Sequence, residues 1–275
     1  MADALRAVRR AFDRAAATYD TAAGVQREIC AQLARCVDAD PPHAPVARVA
    51  DAGCGTGYGL EHLRARFPDA QCLAVDFAPA MLERARSRHA VLPLCADLQA
   101  LPLAGASLDA LWSSLALQWC APERALAEFA RVLRPEGMAW IATLGPNTLH
   151  ELRAAFAAVD DTEHVLRFRP AGDWTRIAAE SGFEVVAERR GTAFVRAPEL
   201  RGVIAHLKGI GAHRIDTRPR QPLTRAQWRT LESAYERFRT PDGLLPATYD
   251  VILLTLRRRN HGPTHPDSAQ SSFLR

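Results

Sequence analysis

Val46-Ala47-Arg48-Val49-Ala50-Asp51-Ala52-Gly53-Cys54-Gly55-Thr56-Gly57-Tyr58-Gly59-Leu60 is the stretch on which the fold turns. A short apolar run closes on an acidic residue, glycines follow at alternate positions, and Glu61-His62-Leu63 continues the pattern. This reads as a strand, a tight turn and the start of a helix. Glycines at such a turn let the backbone approach a ligand closely. The spacing G-x-G-x-G with an acidic lead-in differs from the G-x-G-x-x-G loop that cradles a pyrophosphate. The expected ligand is therefore a cofactor without bridging phosphates, which points away from NAD and ATP.

Outward from this stretch the rhythm repeats. Strands are expected at 46–51, 71–76, 91–96, 108–113 and 137–144, with helices near 57–67, 79–88 and 122–133 between them. Alternating strands and helices with short connections imply a parallel sheet covered on both faces. The fold class is thus α/β, a doubly wound, mostly parallel Rossmann-like sheet. Before it, Leu5, Val8, Phe12, Ala15 and Tyr19 recur at helical spacing and predict an amphipathic helix over 4–19, and a second helix carries Val25, Ile29 and Leu33. After Gly145-Pro146 the rhythm breaks. Helices are expected at 147–158, 172–181, 198–211 and 224–238, a strand pair or long hairpin at 183–196, and a final strand from Tyr249 to Leu256. The expected organisation is a helical cap over 1–40, a core over 41–146, further strands with an inserted helical lid over 147–259, and a disordered tail over 260–275.

A chain of 275 residues, 48% of them hydrophobic, can bury a full core. No run approaches the ~20 apolar residues that span a bilayer, and no secretory signal is visible, so a cytoplasmic, membrane-free protein is expected. The six cysteines are scattered without metal-ligand spacing, so no metal is expected. Residues 1–145 carry 15 basic and 16 acidic side chains and residues 146–275 carry 20 and 15, so an acidic partner would dock on the second half. Of 35 basic residues only Lys208 is a lysine. The modest charge, with no interleaved aromatic and basic stripe, argues against nucleic acid.

Three expected strands end in a carboxylate: Asp51, Asp76 and Asp97. In an open parallel sheet, ligands lie across the carboxyl ends of the strands where the strand order switches. Carboxylates there accept hydrogen bonds from an ammonium, a ribose diol and an exocyclic amine. Each alone is an ordinary strand-end residue, whereas three beside one glycine loop describe a crevice.

With Val75-Asp76-Phe77-Ala78-Pro79-Ala80-Met81-Leu82, Ala96-Asp97-Leu98-Gln99-Ala100-Leu101-Pro102-Leu103 and Arg131-Val132-Leu133-Arg134-Pro135-Glu136-Gly137, residues 46–145 resemble the successive motifs of class I S-adenosylmethionine-dependent methyltransferases. The resemblance implies S-adenosylmethionine as cofactor. Gly53 and Gly55 would face its methionine part and Asp51 its ammonium. Asp76 would meet the ribose, Asp97 the adenine amine, and Phe77, Met81 and Leu98 the adenine faces. Ser113 or Ser114 would border the methyl group.

Three further pieces resemble the BioC family, which methylates the free carboxyl of malonyl-acyl carrier protein to begin biotin synthesis. They are Phe12-Asp13-Arg14-Ala15-Ala16-Ala17-Thr18-Tyr19-Asp20, Leu115-Ala116-Leu117-Gln118-Trp119-Cys120 and Leu207-Lys208-Gly209-Ile210-Gly211-Ala212. The resemblance implies that partner, an acidic carrier on a basic lid surface that includes Arg196, Arg201, Arg214, Arg218 and Arg220. A protein-arginine hydroxylase or another carboxyl methyltransferase on the same scaffold is the alternative. A malonyl carboxylate is ionised at neutral pH, so its methylation needs no general base, only orientation and a dry pocket. A cation should grip the oxygen that does not attack, and Arg167 or Lys208 is the candidate, with Arg169 behind them. Tyr19 is expected to fold over the cofactor, Trp119 to wall the acyl pocket, Gln118 to bond the thioester arm, and Gln26 and Arg14 to reach the cofactor's polar end.

Overall fold

The computed structural model describes residues 2–209 and 222–260 and gathers seven strands into one sheet. Strands β1 (Arg48–Ala52), β2 (Gln71–Asp76), β3 (Leu92–Cys95), β4 (Leu108–Ser114) and β5 (Leu133–Leu144) are mutually parallel. Strand β7 (Leu245–Arg258) lies between β5 and β6 (Phe183–Ala197), antiparallel to both. The order β3-β2-β1-β4-β5-β7-β6 reverses direction beside β1, which places the switch point at the end of the glycine loop. The doubly wound, mostly parallel sheet expected from the repeated pattern is what forms.

Helices α1 (Ala2–Ala15), α2 (Tyr19–Ala22), α3 (Gly24–Ala39), α4 (Tyr58–Arg66) and α5 (Pro79–Arg88) accompany the first strands. They are followed by α6 (Pro122–Val132), α7 (His150–Phe156), α8 (Ala171–Glu180), α9 (Leu200–Gly209) and α10 (Arg225–Tyr235). Neighbouring strand residues face opposite ways, so both sheet faces are apolar and both are covered. Trp112 and Trp140 pack with Ile29, Leu33, Leu60 and Leu63 on one face. Leu111 and Ile141 pack with Phe129, Trp174 and Ile177 on the other. Among the described residues no helix is long and apolar enough to cross a membrane.

Three local expectations are corrected. The single helix over 4–19 is broken after Ala15, and Tyr19 opens a separate turn of helix. The cause is tertiary: the Asp20 carboxylate accepts hydrogen bonds from Thr56 Oγ1 at 2.6 Å and Tyr58 OH at 2.7 Å and pairs with Arg88, which draws the chain down onto the glycine loop. The hairpin over 183–196 is one continuous strand, β6, whose partner is β7. Within it Gly191 admits the Gln32 side chain, whose Oε1 a Cβ there would strike and whose Nε2 donates to Thr192 O at 3.0 Å. The last strand begins at Leu245, not Tyr249. Pro246 is tolerated because β5 pairs with β7 only from Val251 onward, so β6 is the one strand paired with this part of β7. Of the lid motif, Ile210, Gly211 and Ala212 lie outside the described residues, as do Arg214, Arg218, Arg220 and the expected tail beyond Asn260.

Candidate active site

The glycine loop follows β1 because its φ angles of 84° at Gly53, 52° at Gly55 and 103° at Gly57 fall where side chains are disfavoured. Gly53 and Cys54 donate their N–H groups to Val75 O at 2.8 and 3.0 Å, which docks the loop against β2. Gly55 N–H then donates to Asp76 Oδ2 at 2.9 Å, and Ala78 N–H donates to Asp76 Oδ1 at 2.8 Å. These bonds hold the carboxylate still at the end of β2. Burial pushes Asp76 up to about 6, against the lowering effect of those N–H groups. Asp97, just past β3, is oriented by Gln99, whose N–H donates at 2.9 Å and whose amide Nε2 donates at 3.1 Å. The Gln99 Oε1 in turn accepts from Ala121 N–H at 3.0 Å.

These ends surround a cavity of about 80 Å³. Gly53, Gly55, Asp76, Phe77, Met81, Asp97, Leu98 and Ser114 are among the residues that line it. Asp51 lies in a smaller annex of about 40 Å³, which Gly53, Gly55 and Ser114 also line together with Gln26 and Tyr19. There, among the described residues, Asp51 Oδ2 and Gln26 Oε1 are buried without a hydrogen-bond partner, as are Trp112 Nε1 and Ser114 Oγ. Burial, with the charge of Asp76 second, pushes Asp51 up to about 8. Two unpartnered acceptors in one annex fit a ligand that brings N–H donors, an ammonium above all. Ser113, the other serine considered, is fully buried and donates to Ala52 O at 2.8 Å, which ties β4 to β1.

A second cavity of about 250 Å³ adjoins the first. Phe12, Tyr19, Leu115 and Trp119 belong to the walls of both. Gln118 and Lys208 line the larger one, and Lys208 is itself exposed. Leu152, Phe156, Phe168, Ile204 and Leu207 make its walls mainly apolar. Sequence reasoning assigned no role to those residues, nor to Tyr249, which is also in the wall. Phe12, expected only as part of an apolar stripe and of a family-like motif, meets Phe77 at 6.1 Å and Trp119 at 5.7 Å and so bridges the cap to both cavities. Its place on the apolar stripe of the first helix was the available signal. Arg167 is not part of either wall: its side chain is 84% exposed and pairs with Glu163. Arg169 lies 3.7 Å from Glu123. Arg196 and Arg201 are exposed and rest on the Phe194 and Trp228 rings at 4.8 and 5.6 Å.

Comparison with known proteins agrees with this geometry. Residues 50–141 match the family model described as a methyltransferase domain. A malonyl-[acyl-carrier protein] O-methyltransferase of Laribacter hongkongensis is 47% identical over 259 residues, covering 89% of this chain and 86% of that protein. One from Dechloromonas aromatica is 44% identical, covering 91% and 94%. The chain belongs to the malonyl-[acyl-carrier protein] O-methyltransferase family. Its fold likeness reaches further, to a methyltransferase solved with the Haloferax volcanii Trm112 activator at a TM-score of 0.59 and 21% identity, covering 92% of this chain and 98% of that one. As a member of this family it is an S-adenosylmethionine-dependent O-methyltransferase, and the donor-hungry annex beside the glycine loop fits that cofactor's amino-acid end.

Proposed function

We propose that this enzyme methylates the free carboxylate of malonyl-acyl carrier protein, giving the methyl ester from which biotin synthesis starts. The observation that carries the reading is the wall of Phe12, Tyr19, Leu115 and Trp119 shared by a polar, strand-end cavity and an apolar one. One compartment suits the cofactor and the other an acyl thioester, with the junction at the end of β4.

S-adenosylmethionine supplies an electrophilic methyl group on a sulfonium. In our reading Asp51 and Gln26 receive the cofactor's ammonium, and Gly53 and Gly55 give its methionine part room. Asp76 accepts from the ribose hydroxyls, Asp97 accepts from the adenine amine, and Phe77, Met81 and Leu98 sandwich the base. Ser114 borders the methyl group. Tyr19 and Trp119 close the junction and exclude water, which matters because the anion and the sulfonium neutralise each other as the bond forms. Burial raises the Tyr19 hydroxyl far above its ordinary value, so it stays neutral there. A malonyl carboxylate is already ionised at neutral pH, and the site needs no general base.

Lys208 is a cation at the wall of the acyl cavity and is assigned the attraction of the incoming carboxylate, in preference to Arg167, which faces solvent. Helices over 1–40 act as the cap, and 147–259 contributes the lid to the 41–146 core. Arg196 and Arg201 supply part of a basic face for the acidic carrier, and a reaction on such a carrier belongs in the cytoplasm. The arginine-hydroxylase alternative is the weaker reading, since relatives spanning nearly the whole chain are named O-methyltransferases. Incubation with methyl-labelled cofactor and malonyl-carrier should yield a base-labile methyl ester. Cofactor binding without any ester would overturn the reading.

A further inference from the structure

Leu144, the last residue of β5, pairs with Val251, so residues 245–250 of β7 run on past the end of β5 with β6 as their strand neighbour, while on the other side Gly145 and Leu149 donate N–H groups to Asp250 O at 2.8 Å and Thr248 O at 2.7 Å. This extension of β7 lies at the carboxyl end of the parallel strands, where ligands lie in this class of fold. Tyr249 stands in the extension opposite Ala193 and forms part of the wall of the larger cavity. It is 3% exposed, and its hydroxyl has no hydrogen-bond partner among the described residues. The contrast with Tyr235 is direct: that buried phenol donates to Pro246 O at 2.7 Å. A buried hydroxyl left unpaired is costly, so one held at a cavity wall points to a ligand group that completes it.

The other buried, unpartnered polar atoms of this wall say which kind. Gln118 Oε1 and Gln26 Oε1 are also unpartnered in this wall, but both are acceptors, and the Gln118 amide nitrogen already donates to Leu115 O at 2.7 Å. Neither oxygen can receive a carboxylate. Tyr249 O–H can.

Resting on the malonyl-carrier reading above, we infer that the Tyr249 hydroxyl donates a hydrogen bond to the non-attacking oxygen of the substrate carboxylate and thereby selects thioesters that carry a free acid. The choice of a neutral donor has a physical basis. The carboxylate loses its charge as it becomes an ester, so a buried cation would stabilise the reactant more than the transition state. A phenol orients the anion with less of that penalty. Burial also raises the Tyr249 hydroxyl well above its ordinary value, which keeps it a donor across the working range.

The test is Tyr249→Phe, assayed beside the wild-type enzyme. With malonyl-carrier, kcat/KM should fall about 10- to 100-fold, while cofactor affinity and thermal midpoint stay at wild-type values. Binding of acetyl-carrier, which lacks the carboxylate, should be unchanged in calorimetry with S-adenosylhomocysteine present. An unaltered kcat/KM, or an equal loss for acetyl-carrier, overturns the assignment. A wild-type enzyme that forms no ester would instead overturn the substrate reading, and the malonyl-against-acetyl binding difference would still judge Tyr249. Should the variant fold poorly, 3-fluorotyrosine placed at 249 gives a second readout. Its fluorine resonance should shift with malonyl-carrier and not with acetyl-carrier, and a malonyl complex without the shift overturns the inference.

Discussion

Asp51 is held in an awkward state until a ligand arrives. Its folded carboxyl, pushed up to about 8 by burial, keeps a proton that an unfolded one would release near pH ~4. The group therefore favours the folded state fully below the unfolded value, and that contribution is lost as pH rises through about 8. An ammonium beside it reverses the preference and favours the ionised carboxylate. Cofactor affinity should accordingly rise from about pH 6 to about pH 8, and binding near neutrality should release close to one proton. Calorimetry in two buffers of different ionisation enthalpy measures that release, and Asp51→Asn should abolish it; a release that survives the substitution would falsify the ammonium assignment. Strand-end carboxylates such as Asp51, Asp76 and Asp97 are legible in sequence because a local pattern places them. Tyr249 is not, because its environment depends on where β7 enters the sheet, and Arg167 was attractive for its chemistry alone while its exposure is a tertiary fact.

At the scale of elements, α2 is pinned to the glycine loop by a compact set of contacts. Asp20 accepts from Thr56 and Tyr58 and pairs with Arg88, while Arg27 donates to Asp20 O and to Tyr58 OH, both at 2.7 Å. Tyr19, the next residue back, thereby becomes part of the roof over both cavities. Cofactor exchange should require this clasp to open. Asp20→Ala is expected to speed cofactor dissociation about tenfold, as loss of one or two charge-assisted hydrogen bonds at a partly exposed site implies. Stopped-flow release of the bound cofactor measures it, and a wild-type rate would show that exchange proceeds elsewhere. The periodicity of residues 5–19 foretold a helix and its apolar stripe. Nothing local foretold the break after Ala15, since the partners that cause it lie 36, 38 and 68 residues away in sequence.

For the whole molecule, the five parallel strands were legible because each is followed by a short connection and, in most cases, a helix, and that rhythm admits few topologies. The antiparallel pair at the end was half legible. Period and composition marked 183–196 as strand, but the partner of β6 comes only after α9 and α10, and pattern alone cannot name a partner at that distance. The wall of Phe12, Tyr19, Leu115 and Trp119 has one more consequence. Four side chains that line both cavities couple whatever fills one to whatever fills the other, so under the proposed reading the two dissociation constants are not independent properties. S-adenosylhomocysteine should change the affinity for malonyl-carrier by a factor of about 5 or more, and the carrier must change the affinity for S-adenosylhomocysteine by the same factor. A factor of one, measured by calorimetry around the closed cycle, would mean that the shared wall is rigid. Any larger value makes the interaction free energy between the sites a property of this chain in its own right.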